Sequence, residues 1–465
     1  MSKKYASYLL AIPTLASLTP EEHEIIVIDE NIQDIDYSIN VDIVGISVRT
    51  MFAMRAYAIS KKFRENGVKT VLGGIHPSMC PDEAALNCDT VVVGEAENIW
   101  GTLLDDAQNG QLKPLYKADS YANLKKAPIP DRRQLSTHMY LTDIIQTTKG
   151  CPFHCEFCSV HAFDGKKIRT KTVDQVVLEI NNIKQSADKF KKKKAIFIAD
   201  DNILSNKSFT IALINALKPL NINWMCQASI NISQEDDLLQ KMSDSGCGAI
   251  FIGFESISEK NLLSMDKAIN RRFDFRQAID KIQSYGILVH SSFIVGYEHD
   301  TVESFDELIQ FIEDTNLLMP VINILTPFPG TQLFTRFEKE GRLLTKDWQL
   351  YDTKHVVFQP ETLSTEQLSE GYKKIVQSVY SYDAVLKKLK HYWRIDFWKR
   401  QNSEDPVKFK YRLLFAMRLM SLLISTNVKR SVFIMKILPY VFLRKVRIST
   451  ILALMGYNDF AESLH

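Results

Sequence analysis

The chain has 465 residues, 45% of them hydrophobic and 24% charged, with a formal net charge of +2. That balance describes an ordinary globular protein and excludes a global bias toward nucleic acid. The length exceeds what one hydrophobic core usually organises, so two or three domains are expected. Met1-Ser-Lys-Lys-Tyr5 lacks a long apolar run with a cleavage site, which predicts no signal peptide and a reducing, cytoplasmic setting. From the start to about residue 112, short apolar runs alternate with helical patterns. Ile25–Ile28, Ile43–Ser47, Thr70–Gly74 and Thr90–Gly94 read as buried parallel strands, and Met51 to Asn66 carries helical spacing. The pattern predicts a doubly wound, Rossmann-like α/β domain over 1–112, whose ligand lies beyond the carboxyl ends of the strands. Ser47, Thr50, Gly73, Gly74, His76, Gly94 and Glu95 would then surround one crevice. Each of them alone is also explained by a tight turn or a helix cap.

Residues 113–140, with Pro114, Pro128, Pro130 and the charged Asp131-Arg-Arg133, read as a linker. Ile144-Ile-Gln-Thr-Thr-Lys-Gly150 then delivers Cys151, Cys155 and Cys158, a CxxxCxxC spacing. Three thiolates within eight residues can hold three irons of a [4Fe-4S] cluster and leave the fourth open to a substrate or cofactor. Zinc is the alternative, with His154 or His161 as a fourth ligand, but no second cysteine pair follows at a suitable distance. Cys80, Cys88, Cys226 and Cys247 read as ordinary buried thiols, too scattered for a disulfide framework.

Strand and helix alternate after the loop with the regularity of a partial (β/α)6 barrel spanning 141–335. The expected strands are 195–199, 224–229, 249–253, 289–295 and 320–325, with helices such as 174–183, 236–245 and 273–285 between them. Barrel active sites collect at carboxyl ends of strands, which singles out Asp200, Asp201, Asn202, Gln227, Ser229, Asn231, Glu255, Ser256 and Gly296. The ordinary reading of each acid is a helix N-cap just past a strand. Residues 336–465 read as a helical C-terminal region. There Trp348, Tyr351, Asp352 and His355 are candidates to cover a substrate mouth, with His355 the candidate for proton transfer.

From Pro406 to Gly456 the chain holds no acid, and Lys408, Lys410, Arg412, Arg418, Lys429, Arg430, Lys436, Arg444, Lys445 and Arg447 interleave with apolar residues. Three readings stay open: a solvated face over a helical core, a peripheral contact with an anionic membrane surface, and nucleic-acid binding, for which nothing else speaks. Charges recur too often for a transmembrane span.

The CxxxCxxC run with Phe157 before its last cysteine resembles the signature of radical S-adenosylmethionine (SAM) enzymes. Asp29-Glu-Asn31, Gly45-Ile-Ser47, Leu72-Gly-Gly-Ile-His-Pro77 and Val93-Gly-Glu-Ala-Glu97 resemble, in order and spacing, the cobalamin-binding domain of the B12-dependent members. The resemblance implies an extra opening strand and a Pro/Gly-rich loop before the segment matching Tyr8–Ala16, where this chain begins; the start is truncated or the sheet is one strand short. The turn matching the cobalt-ligating DxHxxG motif reads Ser47-Val-Arg-Thr-Met-Phe52, without a histidine. The resemblance also implies that Ala199-Asp-Asp-Asn202 stands near the SAM amine, that Gly253-Phe-Glu-Ser-Ile-Ser258 contacts its ribose, and that Arg169 meets its carboxylate. Ile294-Val-Gly-Tyr297 and Thr326-Pro-Phe-Pro-Gly-Thr331 match two further family signatures. The activity implied is C-methylation of an unactivated carbon through a 5′-deoxyadenosyl radical and methylcobalamin. The electron donor would be a flavodoxin or ferredoxin, and the substrate a small molecule or lipid. The alternatives are a cyclase, oxidoreductase or carbon–carbon coupling enzyme without methyl transfer, on a lipid or tetrapyrrole, and a non-catalytic metal-binding protein.

Overall fold

A computed structural model describes residues 7–186, 195–267, 269–395, 397, 428–442 and 448–464, which fall into two compact units. The first comprises residues 1–216 and 326–358, the second 217–325 and 359–465. Of the basic positions in the tail, Lys408, Lys410, Arg412, Arg418, Arg444, Lys445 and Arg447 lie outside the described residues, as does the stretch Met1–Ala6. No helix among the described residues is long and apolar enough to cross a membrane.

In the first unit, β1 (Ile43–Ser47), β2 (Lys69–Gly73), β3 (Thr90–Val93) and β4 (Leu115–Lys117) form a parallel sheet in chain order. Three of these strands follow the apolar runs within one residue. Two details differ from expectation. Ile25–Ile28 joins no ladder; the Val27 N–H donates instead to the Gln134 side chain at 3.2 Å. The fourth strand is Leu115–Lys117, inside the Pro-bounded stretch that reads as a linker, held by its register with Val91–Val93. The helix Ala53–Glu65 buries Ala56, Tyr57, Ile59 and Phe63 and keeps Lys61, Lys62 and Arg64 exposed, which is the amphipathic division its spacing predicts.

Beyond the sheet, β5 (Thr142–Ile145) pairs in parallel with β8 (Ala195–Ile198). Between them β6 (Thr148–Lys149) and β7 (Arg169–Thr170) form a short antiparallel ribbon that closes off the cysteine loop. The segment 326–358 returns to this unit. There Trp348 and Tyr351 are buried in a cluster with Val48, Ala53, Tyr57, Leu72 and Val91, so they are core residues and not the mouth cover expected.

The second unit carries β9 (Asn223–Ala228), β10 (Cys247–Glu255), β11 (Leu288–Val295) and β12 (Val321–Ile324), all parallel and paired in sequence order. With β5 and β8 these are the six strands of a partial barrel. Buried residues alternate along β9 and β12, one face turned to the helices. Phe254 and Phe293 stack on that face at 5.6 Å, and Phe293 meets Phe311 of the helix Val302–Asp314 edge-on at 6.1 Å. Among the described residues the helices Thr365–Val379, Tyr382–Arg394, Val428–Phe442 and Ile448–Glu462 also belong to the unit.

Lys388, on the helix Tyr382–Arg394, is 1% exposed and donates to the Val379 carbonyl at 3.0 Å. Burial pushes its ammonium down to about 7 against the partial help of Glu313. Between that value and its ordinary 10.5 the unfolded chain binds more protons than the folded one, so stability rises with pH across this window. Lys388→Met should remove a rise of roughly 2 kcal/mol between pH 7 and 9. Paired thermal melts of wild type and variant at the two pH values measure it, and parallel melts would refute the assignment.

Candidate active site

Gly150 leaves β6 with φ of +94°, and the chain turns into the loop bearing Cys151, Cys155 and Cys158. The loop is tied internally by the Cys158 N–H to the Cys155 carbonyl (3.0 Å) and to its exit by the Cys151 N–H to the Gly165 carbonyl (3.2 Å). All seven cysteines are thiols, and the three of the loop are half-buried. Among the described residues no three His, Cys, Asp or Glu side chains converge on a single ion position. A cluster takes one thiolate per iron and needs no such convergence, so three half-buried thiols on one loop fit it.

Asp200 orders the root of this loop. Its wholly buried carboxylate accepts the Thr147 N–H (2.6 Å), the Thr148 N–H (2.9 Å) and the Thr147 hydroxyl. Burial raises its pKa, opposed by those bonds. An N-cap of the following helix is thus not its role. Asn202 does take that ordinary role, its side chain accepting the Leu204 N–H at 3.1 Å. Asp201 keeps one buried oxygen without a hydrogen-bond partner, and burial, with Asp164 and Asp200 nearby, pushes its carboxyl up to about 7. An acid poised there can hold or release a proton near neutrality, and an unmet buried oxygen suits an ammonium donor.

Arg169 is engaged by partners within the chain, while its Nε is buried without a hydrogen-bond partner. Its guanidinium binds Glu95 at 2.7 and 2.9 Å and the carbonyls of Ala122 (3.1 Å) and Asp164 (3.0 Å). Glu95 also lies 3.0 Å from Lys149, which reaches Glu97 at 2.8 Å. Burial disfavours the Glu95 charge, but Lys149, Arg169 and the Ala122 N–H outweigh it and hold the carboxyl below its usual range. Lys149 and Asp164, whose carboxyl burial pushes up to about 6, escaped the sequence reading. The one available signal was a lysine directly before Gly150.

At the carboxyl ends of β1–β3 the expected crevice residues divide. Gly94 has open space where a side chain would stand, and Met51, Phe52 and Met54 expose apolar surface on the turn after β1, ground suited to a flat, largely apolar macrocycle. Gly73, Gly74 and Ser47 form the adjoining strand ends, and Thr50 is buried. His76 has no exposed surface: its Nε2 lies 3.0 Å from the Tyr57 hydroxyl and 3.6 Å from Glu83, which also accepts from Trp348 at 2.8 Å. Burial lowers its pKa.

In the second unit, Glu255 ends β10 in the left-handed region with φ of +64°. Its carboxylate folds back over Gly253, where an added Cβ would have to push the Glu255 side chain aside. Lys267 pairs with Glu255 at 3.0 Å, and the Asn270 amide donates to the carbonyls of Gly253 (2.9 Å) and Phe254 (3.0 Å). Ser256 accepts the Ser258 N–H, and Ser229 donates to Asn231. Asp300 accepts the Gly296 and Tyr297 N–H groups at 2.7 and 3.2 Å, within the Ile294–Tyr297 signature.

His290 was also missed. Strand alternation sets it opposite Phe293, on the face turned from the helices, with Ser292 and its partner Asn323 (3.2 Å). Phe251 pairs with both Gln227 and His290 in register. Burial pushes the His290 imidazole down to about 4, so this row is neutral and hydrogen-bonding. His355, by contrast, stands in an exposed turn of the first unit with its Nδ1 3.0 Å from Asp352, outside the groups brought together above.

The radical SAM superfamily matches residues 145–312, a B12 binding domain residues 10–104, and a domain of unknown function residues 331–461. Bacteriochlorophyllide d C-8(2)-methyltransferase of Chlorobaculum tepidum is 33% identical over 81% of this chain and 86% of its own length. Hopanoid C-2 methylase of Rhodopseudomonas palustris is 28% identical over 72% of this chain and 64% of its own length. Among solved structures, the cobalamin-dependent SAM radical enzyme OxsB with aqua-cobalamin and SAM bound covers 99% of this chain and 77% of its own, with a TM-score of 0.61 at 15% identity. The methyltransferase TsrM of Kitasatospora setae with cobalamin and [4Fe-4S] cluster covers 73% of this chain and 78% of its own, at a TM-score of 0.59 and 14% identity. Both show likeness of fold.

Proposed function

The chain belongs to the cobalamin-dependent radical SAM family, and from that premise we propose that it is a C-methyltransferase acting on an unactivated carbon of a tetrapyrrole or polycyclic lipid. One observation carries the reading: a B12-type sheet and a three-cysteine loop occur in one compact unit, the two sites that methyl delivery through cobalamin by a radical route would use. The relatives' activities support it, since chlorin and hopanoid rings are large, rigid and mostly apolar.

Cys151, Cys155 and Cys158 would hold the cluster, and the strand ends of β1–β3 with the Met51–Met54 turn would seat cobalamin. When bound, the cluster with SAM supplies a radical able to take hydrogen from an unactivated carbon, and cobalamin supplies the methyl group. The protein's part is positioning. Asp200 fixes two consecutive N–H groups at the root of the loop, and Asp201 offers an acceptor to a SAM ammonium. Glu255, braced by Lys267, offers acceptors to vicinal hydroxyls. Gln227, His290, Ser292 and Asn323 present neutral polar groups, which suit carbonyl or hydroxyl substituents better than a buried anion.

The test is anaerobic reconstitution with iron, sulfide and hydroxocobalamin, then methyl-labelled SAM with bacteriochlorophyllide d as probe. Labelled methyl on cobalamin, 5′-deoxyadenosine and a once-methylated pigment are expected. 5′-Deoxyadenosine with bound but unlabelled cobalamin would favour a radical cyclase or oxidoreductase instead. A relative of that kind exists in the anaerobic magnesium-protoporphyrin IX monomethyl ester cyclase of Rubrivivax gelatinosus, 24% identical over 70% of this chain and 63% of its own length.

A further inference from the structure

Glu95 stands two residues past β3, at the carboxyl end of the B12-type sheet, and is 4% exposed. Its partners come from elsewhere in the first unit. Lys149 lies on β6 and Arg169 directly across from it on β7, so both cations of the ribbon that closes the cysteine loop bind this one carboxylate. Ala122, after β4, donates its N–H at 2.6 Å and completes the set. Lys149 is followed by Gly150 and then Cys151; Arg169 continues the chain that leaves Cys158. Both ends of the loop are thereby fastened to the end of one strand of the other module.

A buried anion shared by two half-buried cations is sensitive to loss of any member, because the survivors keep their charge without its partner. Replacing Glu95 by glutamine keeps its shape and an acceptor for Ala122. It leaves Lys149 with Glu97, and Arg169 with the two backbone carbonyls. The ribbon would lose the one carboxylate shared by both of its strands, keeping Asp200 on Thr147 and Thr148 and Glu97 on Lys149, while the sheet keeps its own ladder.

We propose that Glu95 is a positioning residue that fixes the cluster-bearing ribbon against the cobalamin-side sheet through Lys149 and Arg169. This rests on the two-cofactor reading for its purpose, since a fixed separation matters only if both sites are filled, but the tie itself is independent of any ligand. It differs from a direct cofactor contact, the role that the position of Glu95 at the sheet's mouth first suggests.

The experiment compares wild type, Glu95→Gln, Glu95→Asp and Arg169→Lys in the full chain. Hydrogen exchange of the peptides covering 147–151 and 168–171 is read on the cofactor-free protein. The reconstituted protein is then assayed for iron, for bound cobalamin, and for labelled methyl on cobalamin per 5′-deoxyadenosine formed. Expected for Glu95→Gln is at least tenfold faster exchange in both peptides, wild-type iron and cobalamin, and a methyl-to-deoxyadenosine ratio lowered at least tenfold. Glu95→Asp should recover part of that ratio. Unchanged ribbon exchange would overturn the proposal, and so would loss of cobalamin with an unchanged ribbon, which would make Glu95 a cofactor contact. If Glu95→Gln does not fold, Arg169→Lys, which keeps the charge but not the fork, should still raise ribbon exchange; no rise there overturns the tie. Wild type that binds no cobalamin defeats the two-cofactor reading and leaves the exchange comparison standing.

Discussion

Replacement of Cys151, Cys155 or Cys158 by alanine, one at a time, is expected to reduce SAM cleavage to background and to strip most of the iron from the reconstituted protein. The three thiols are half-buried on a loop whose backbone is held by its own hydrogen bonds and by Asp200, so the cofactor-free fold should lose no more than about 1 kcal/mol. Cys226 gives the contrast. It is fully buried on β9, where Cys226→Ser puts a more polar hydroxyl in place of the thiol and should cost about 1–3 kcal/mol while leaving the iron in place. Iron and sulfide content, visible absorption and thermal melts of the four variants separate the two effects. A Cys155→Ala protein with full iron and wild-type SAM cleavage would show that the loop does not hold the cluster.

The residues with the clearest sequence signal are those whose chemistry fixes their spacing. Three thiolates that share one cluster must lie close together in the chain, so the loop could be read directly. Parallel strands also show, because Ile43–Ser47 and Thr90–Val93 are apolar at nearly every position. Ile25–Ile28 carries the same apolar signal and forms no strand; Ile26 is exposed and none of the four is fully buried, so the run has neither a core position nor a neighbour to pair with. Leu115–Lys117 is the converse. It is three residues long with exposed ends, and only the register of Val91–Val93 makes it a strand.

The charged network had no comparable signal. Glu95 and Arg169 are 74 positions apart, and each looks like a ligand for something absent; only the fold shows that they are ligands for each other. Trp348 and Tyr351 misled for a related reason. Aromatic residues serve equally in a core and at a binding mouth, and what decides here is their return to the sheet beside Val48 and Leu72. His290 sits mid-strand between Val289 and Ser291, where a single histidine reads as packing; its lining of the helix-free face follows from alternation against Phe293.

Gly150→Ala should be the most damaging single methyl in the first unit. With φ of +94° the residue lies outside the ordinary L-residue regions, and a Cβ would stand 2.6 Å from the Lys167 carbonyl oxygen and 3.2 Å from that of Gly165. Those obstacles are backbone, so no rotamer change relieves them. The ribbon cannot open to make room, because Lys149 is held by Glu95 and Glu97 while the Thr147 and Thr148 N–H groups are held by Asp200. Gly67→Ala supplies the control: its φ is +80°, but nothing lies within 4 Å of the added carbon, so it carries the conformational penalty alone, about 1–2 kcal/mol. Gly150→Ala should cost about 2–4 kcal/mol and lower the iron content as well, since the clash displaces the residue next to Cys151. Equal melts and equal iron for the two variants would mean that the ribbon yields freely, and the fixed loop root argued above would have to be given up.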